Sequence, residues 1–450
     1  MKRFYSIAIA AAAALLVCTA ASAQSFRSGY FLDNYVYGYR INPAQINKKS
    51  FLGLGTGNID LQHSSTIGMA SLLFPTENGV VTGLNSAVSA EEFLGRIPDG
   101  AAITFDENIN ILSLGVVSRS RKSMHTFEIN TRVNGNVALP YDLFAFLKQG
   151  GDRQYDLSGI NVGLAVTGDV SYGMARRISD KFAMGLRLHF LVAAADVKAY
   201  SDGSNITMKE SATELNTKLH LQTSGILELK TDDKGNIDPN SAALTGPYVG
   251  GYGGGIDLGF EFTPTDWLSV MASVTGLGAI SRNNTTNLIA DSSISYSGID
   301  VTYEDGNVEA DYQQILDKLT EVIVFEQGDE PTRLDILPFD AYCGMRLKMP
   351  FFKALSVGAL GTYHYDTVFP WYEVRGGVTL STRYFLSLSA NAGIGTRGPT
   401  VGGGLNIHLG PLNILAGADT FWGDLGMVNG IPVPLDGFIL NAHLGVCLTL

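Results

Sequence analysis

Apolar and polar residues alternate along much of this chain. From Phe127 to Val137, Phe127, Ile129, Val133 and Val137 fall on one face, and Glu128, Asn130, Arg132, Asn134 and Asn136 on the other. The same period of two separates Ile160, Val162, Leu164, Val166 and Val170 from Asn161, Thr167, Asp169 and Ser171. It recurs where Phe182, Met184, Leu186, Leu188, Phe190 and Val192 oppose Arg187 and His189, and where Ile256, Leu258, Phe260 and Phe262 oppose Asp257 and Glu261. Successive side chains of a strand point to opposite faces, so each run predicts a strand between two different solvents.

Turn signals separate the runs: Ser179-Asp180-Lys181, Thr263-Pro264-Thr265-Asp266, Ser381-Thr382-Arg383 and Gly410-Pro411. Such short connections predict hairpins. About fifteen candidate strands lie near residues 51, 66, 104, 124, 158, 181, 250, 267, 334, 354, 372, 384, 400, 412 and 437, and an even, closed count of about 14 is expected. The runs suit a tilted bilayer crossing of about 9–11 residues better than the five or six usual in globular sheets. In lipid, only a closed barrel pairs every strand's backbone groups. The fold class expected is therefore all-β, a transmembrane antiparallel barrel.

A secreted β-sandwich also alternates apolar and polar residues. Two features favour the barrel. The last run, Phe438 to Leu450, carries Leu444, Val446, Leu448 and Leu450 on one face up to the final residue. Tyr363, Tyr365, Phe369, Trp371 and Tyr372 gather at strand ends, as an interfacial girdle requires.

Composition narrows the class further. The chain has 450 residues, of which 16% are charged and 45% apolar. Both the low charge and the 52 glycines argue against an ordinary cytosolic enzyme, and the apolar content argues against disorder. Lys2 and Arg3, the apolar stretch Ile7 to Val17 and Ala21-Ser22-Ala23 read as a signal peptide over residues 1–23, with Gln24 the first mature residue. Without that segment, 29 basic residues face 43 acidic ones, a net of −14, which disfavours nucleic acid as a partner. Cys343 and Cys447 are too few to staple a scaffold, and their opposite strand parity sets Cys343 toward lipid and Cys447 toward the lumen.

Between the signal peptide and the first strand, residues 24–50 crowd Phe26, Tyr30, Phe31, Tyr35, Tyr37 and Tyr39 into an irregular stretch. Aromatics so dense need burial, which predicts a plug-like segment inside the barrel of residues 51–450. Its Asn42-Pro43-Ala44 reads as a bend, since Pro43 drives Asn42 toward extended geometry. Ser89 with Glu92 predicts a capped short helix, and Pro140 the first position of another reaching Lys148. Long outer loops are expected at 196–250 and 281–335. The second holds 12 acidic against 3 basic residues, a net of −9, and an amphipathic helical pattern from Ile315 to Ile323.

The signal peptide, the Asn42-Pro43-Ala44 bend, the run Glu107 to Gly115 and the Pro140 to Lys148 block together resemble an uncharacterised family of Bacteroidota outer-membrane barrels, a domain of unknown function. More remotely, the architecture is similar to the long-chain fatty-acid channel superfamily, which includes the barrel shuttle of the type nine secretion system. The resemblance implies about 14 strands, an N-terminal segment entering the barrel, long outer loops and the outer membrane of a Gram-negative bacterium as location. It implies little about activity, because a fold does not fix function.

Motifs for catalysis are missing. Gly393-Ile394-Gly395-Thr396-Arg397-Gly398 matches a dinucleotide pattern, but Pro399 and another alternating run follow where a helix is needed, so it reads as a hairpin. Asp232, Asp233, Asn236 and Asp238 lack the spacing of a calcium loop. No enzyme, cofactor or metal is therefore expected. Polar parity marks Glu128, Arg132, Asp169, Arg187, His189, Asp257, Glu261 and His408 as lumen-facing. Two readings stay open: a porin-like channel for hydrophobic or amphipathic small molecules, or a non-conducting scaffold or shuttle with acidic loops that dock surface or secreted proteins. Outer-membrane lipid is a partner in both.

Overall fold

The computed structural model describes residues 26–55, 58–76, 79–209, 212–231, 237–243, 249–296, 325–328, 332–367, 370–382, 385–421, 425–428 and 431–450. The signal-peptide stretch, the 315–323 helical pattern and Asp232, Asp233 and Asn236 lie outside the described residues.

Fourteen antiparallel strands close into a barrel. In chain order they are β1 (Phe51–Leu54 and Asn58–Ser65), β2 (Ala101–Val117), β3 (Ser123–Leu139), β4 (Asn161–Ser179), β5 (Phe182–Ser201), β6 (Ala212–Gly225 and Gly251–Thr265) and β7 (Leu268–Tyr296). They continue as β8 (Thr332–Ile336 and Phe339–Lys348), β9 (Leu355–Tyr365), β10 (Trp371–Ser381), β11 (Leu386–Gly395), β12 (Gly398–Leu409), β13 (Leu412–Phe421) and β14 (Phe438–Thr449). Each pairs with its sequence neighbour, and β14 returns to β1 through Phe51↔Thr449 and Ile59↔Leu444. Closure gives each of the fourteen wall strands a hydrogen-bonded neighbour on both sides, so the wall itself has no first or last strand.

The wall turns the usual protein surface inside out. In β5, Met184, Leu186, Leu188 and Phe190 are exposed, while Arg187 and His189 are buried. β4 shows the same inversion, with Val162, Leu164 and Val170 exposed and Asp169 and Ser171 buried. An apolar exterior around a polar interior suits lipid outside and polar partners within.

One end carries tight connections, at 118–122, 180–181, 266–267 and 410–411. The opposite rim carries α1 (Met69–Leu72), α2 (Ala90–Gly95) and α3 (Tyr141–Gln149), together with the small hairpin Leu73–Thr76 and Gly79–Thr82. Ser89 caps α2 by accepting the Glu92 N–H at 3.1 Å. Pro140 is the N-cap of α3, one residue earlier than the sequence suggests, because its ψ of 154° keeps it extended.

Three sequence readings change. The candidates near 51 and 66 are two pieces of one wall strand, since Phe51–Leu54 and Asn58–Ser65 both pair with β2 and β14. Trp371 is no girdle residue: it shares the parity of Glu373 and Arg375 and is buried in the lumen, whereas Tyr363 and Tyr372 are exposed outside. The segments 196–250 and 281–335 are not loops throughout, for β5 runs to Ser201, β7 to Tyr296 and β8 starts at Thr332.

The first of these segments builds one composite strand. Residues 212–225 and 251–265 occupy successive levels of the same slot between β5 and β7, with the chain leaving the wall between them. A Cβ at Gly250 would strike the Gly225 backbone, and Gly225 has φ +74°, so the two ends meet only as glycines.

Candidate functional site: the lumen and its N-terminal segment

Residues 26–50 lie within the barrel at the end with short turns. Two single 3₁₀ turns, Arg27–Tyr30 and Gly38–Arg40, give the segment its shape, and none of its described residues is in a strand. Phe26, Phe31, Tyr35, Tyr37 and Tyr39 are at most 2% exposed, and Tyr30 is half-buried. They pack with Phe51, Met124, Met271, Leu360, Leu415 and Cys447 of the wall. Tyr37 meets Phe51 edge-on at 5.7 Å, and Phe26 stacks on His443 at 5.5 Å.

Side chains fasten this segment at three places. Arg27 lies 3.6 Å from Glu373 and 3.5 Å from Asp419, with its guanidinium 4.7 Å from the centre of Trp371. Arg375 ties Glu373 to Asp419 from the wall, at 3.0 and 2.8 Å, and Ser28 bonds Asn391 and Asp419. Arg40 reaches Asp60 at 2.6 Å and Glu128 at 2.7 Å. Between them, Arg346 donates to the Phe31 carbonyl and to Asp33, both at 2.7 Å, while Thr379 donates to the same carbonyl. Fully desolvated charges are tolerable only when paired and hydrogen-bonded in this way.

The Asn42-Pro43-Ala44 bend rests on a flat patch of wall. Asn42 accepts the Ala44 N–H at 3.0 Å and donates to the Phe260 carbonyl at 3.2 Å. Beneath it, Gly185 of β5 pairs with Gly259 of β6. A Cβ at Gly185 would collide with the Pro43 carbonyl, and one at Gly259 with the Asn42 side chain.

Beyond the segment the lumen is charged. Glu128 accepts from Tyr39 at 2.7 Å and from Arg187 at 2.5 Å, and Arg187 continues to Asp257 at 3.1 Å. His189 sits between Asp169 and Asp257, 3.0 Å from each, and Arg132 pairs with Asp169 at 2.5 Å. These six of the eight parity-marked residues thus form one continuous network. The other two stand apart: Glu261 lines a cavity of about 130 Å³ beside the N-terminal segment, and half-buried His408 bonds Asn413 at 2.9 Å. A second cavity, of about 70 Å³, lies within the charged network.

At the far rim, Phe74, Phe93, Phe144 and Tyr155 form an apolar cluster, with Phe93 6.1 and 6.2 Å from Phe74 and Phe144. Lys148 of α3 donates to the Asn85 carbonyl at 2.7 Å, and burial lowers its pKa. Cys343 is exposed and Cys447 buried, and both thiols are free.

Sequence reasoning missed Arg27, Arg40, Arg346, Glu373, Arg375 and Asp419. Parity points to the last four, but their pairing depends on closure, which brings Arg27 to a partner 392 positions away. The Gly185 and Gly259 pair carried a signal: each is a glycine on the polar parity of a strand whose other inward residues are charged.

No curated protein matches this sequence. Among solved structures, the chain is similar to a FadL homologue of Pseudomonas aeruginosa, at 12% identity and a TM-score of 0.39 over 93% of both chains. It is also similar to the toluene transporter TodX of Pseudomonas putida, at 8% identity and TM-score 0.42 over 92% of both chains. The toluene transporter TbuX of Ralstonia pickettii matches at 8% identity and TM-score 0.43, over 93% of this chain and 94% of that one. The model of one family of unknown function matches residues 43–419, from the proline of the bend to the aspartate that holds Ser28 and Arg375. The resemblance to an uncharacterised barrel family is met at that level, and the chain belongs to the family of unknown function DUF5723.

Proposed function

We propose that this barrel is a gated channel in the outer membrane of a Gram-negative bacterium, passing hydrophobic or amphipathic small molecules when its N-terminal segment shifts. The observation that carries this reading is how the segment is held. It fills the bore through side-chain clasps and ring contacts, without a strand ladder among its described residues. A ladder opens cooperatively, whereas a few ion pairs and one apolar face can be exchanged locally. The segment is therefore a gate in place, and the resting barrel is closed.

The apolar cluster at the far rim is buried against its own neighbours, so it would receive a ligand's apolar body only on opening. The charged network favours a ligand that also carries a polar end, because a purely apolar one would desolvate paired charges without replacing their partners. The scaffold reading needs a permanently filled lumen. The two are separated by uptake of a membrane-impermeant amphipathic dye into proteoliposomes. Arg27→Ala with Arg40→Ala, which removes two of the segment's three fastenings, should raise uptake at least about tenfold over the wild type, a change worth roughly 1.4 kcal/mol. Equal uptake by both proteins would reject the gate.

A further inference from the structure

Cations crowd the outside of the barrel where β2 to β5 reach the short turns. Arg119, Arg121 and Lys122 lie in the β2–β3 turn, Arg176 near the end of β4 and Lys181 in the turn to β5, and all five are exposed. The two turns are neighbours, for Ser123 pairs with Arg176, and the Arg177 N–H donates to the Lys122 carbonyl at 2.7 Å. Asp180 is the one acid within them, 3.9 Å from Lys122. Among the described residues, the other four cations have no acidic partner. Arg177 is not part of this cluster: its parity is inward, toward Glu261. Adding exposed Asp266 of the next turn still leaves five cations against two acids, in a sequence whose net charge is −12.

Arg176 fixes the level at which the cluster sits. On the outward face of β4 it follows Tyr172 and Met174 and precedes Ile178, all three exposed. A guanidinium set between apolar side chains on the outside of a barrel stands at the edge of the hydrocarbon, since charge on the lipid face is tolerated near the headgroups and costly deeper. A second polar feature lies on the same face: His125 Nδ1 and the Tyr172 hydroxyl are hydrogen-bonded at 2.7 Å, both side chains exposed. Tyrosine so placed, apolar ring toward lipid and hydroxyl toward a polar group, belongs at the membrane–water boundary. Trp267, Phe351 and Phe352, exposed at the same end, suit that boundary too.

We infer that this rim binds the phosphate of an anionic phospholipid. Short turns face the periplasm in bacterial barrels, so the headgroups within reach are those of the inner leaflet. Guanidinium groups grip phosphate oxygens in pairs, and clustered cations beside a membrane favour anionic headgroups over zwitterionic ones. Met174 and the Tyr172 ring offer the acyl chains an apolar surface directly beside the charges. A soluble acidic protein would need the cations to point away from the bilayer, whereas Arg176 shares the face of Met174 and Ile178. The site rests on the membrane-spanning reading of the barrel and is independent of the gate.

Native mass spectrometry of the barrel of residues 24–450, stripped of lipid in detergent and then titrated with phosphatidylglycerol or phosphatidylcholine, reads the site. Phosphatidylglycerol should bind at least about tenfold more tightly. The combination of Arg119→Gln, Arg121→Gln, Lys122→Gln, Arg176→Gln and Lys181→Gln should abolish that preference. Arg153→Gln with Lys209→Gln, two exposed cations away from the short turns, should keep it. If the fivefold variant loses its heat-resistant band, Arg176→Gln with Lys181→Gln decides. Equal binding of the two lipids, or a preference that survives neutralisation of the cluster, would overturn the site. Tighter binding of polyglutamate than of phosphatidylglycerol, charge for charge, would overturn it as well and give the rim to an acidic protein.

Discussion

The Tyr39 hydroxyl donates to Glu128 Oε1 at 2.7 Å, and the same carboxylate accepts from Arg40 and Arg187. One buried wall residue therefore holds two residues of the N-terminal segment and connects them to the charged network behind. Removing one partner of such a group strands the others without compensation, at a cost of about 3–5 kcal/mol.

Glu128→Gln should thus loosen the segment more than a surface substitution would. Cys447 reports it, for the thiol is buried against Tyr37. Labelling of Cys447 by a small maleimide should speed up at least about tenfold, following an opening free energy lowered by more than 1.4 kcal/mol. Unchanged labelling would show that Glu128 does not hold the segment.

Gly185→Val and Gly259→Val should displace the Asn42-Pro43-Ala44 bend, because their side chains take the space of the Pro43 carbonyl and the Asn42 side chain. The wall should tolerate both, since valine suits a strand. Proteolysis within residues 26–50 is expected to accelerate while the barrel keeps its heat-resistant band. Retained protection would place the bend's hold elsewhere.

The wall was legible because its two solvents impose a period of two, and β4 and β5 follow it residue by residue. The lumen pairing was not, since Arg27 and Arg40 sit in a stretch without periodicity and find their acids only after closure. Trp371 was misread as interfacial because aromatic clustering at a strand end outweighed its parity with Glu373 and Arg375. The strands hidden in 196–250 and 281–335 escaped for a related reason: beyond the bilayer the outer face need not be apolar, and the alternation fades.

Cys343 tests the register of β8. It is exposed on the outer face, opposite in parity to buried Tyr342. A bimane attached there should be quenched by doxyl-labelled lipid and spared by aqueous iodide. The reverse pattern would flip the strand, since a slip of one residue exchanges its faces.

Phe144→Ala should open the rim cluster alone. Truncating a buried phenylalanine costs about 3–5 kcal/mol, and here the loss falls on α2 and α3 rather than on the ladder. Faster cleavage around 90–95 and 141–149, with an unchanged heat-resistant band, is the outcome expected. Loss of the band would make the cluster part of the barrel's own stability.

The most direct measurement is conductance across a planar bilayer, for the barrel of residues 24–450 and for one of residues 51–450. The complete protein should be almost silent, with rare brief openings, and the shortened one should give sustained steps, because the segment closes the bore. Sustained steps from the complete barrel, or silence from a shortened barrel that still shows its heat-resistant band, would contradict the assignment of the segment as the gate.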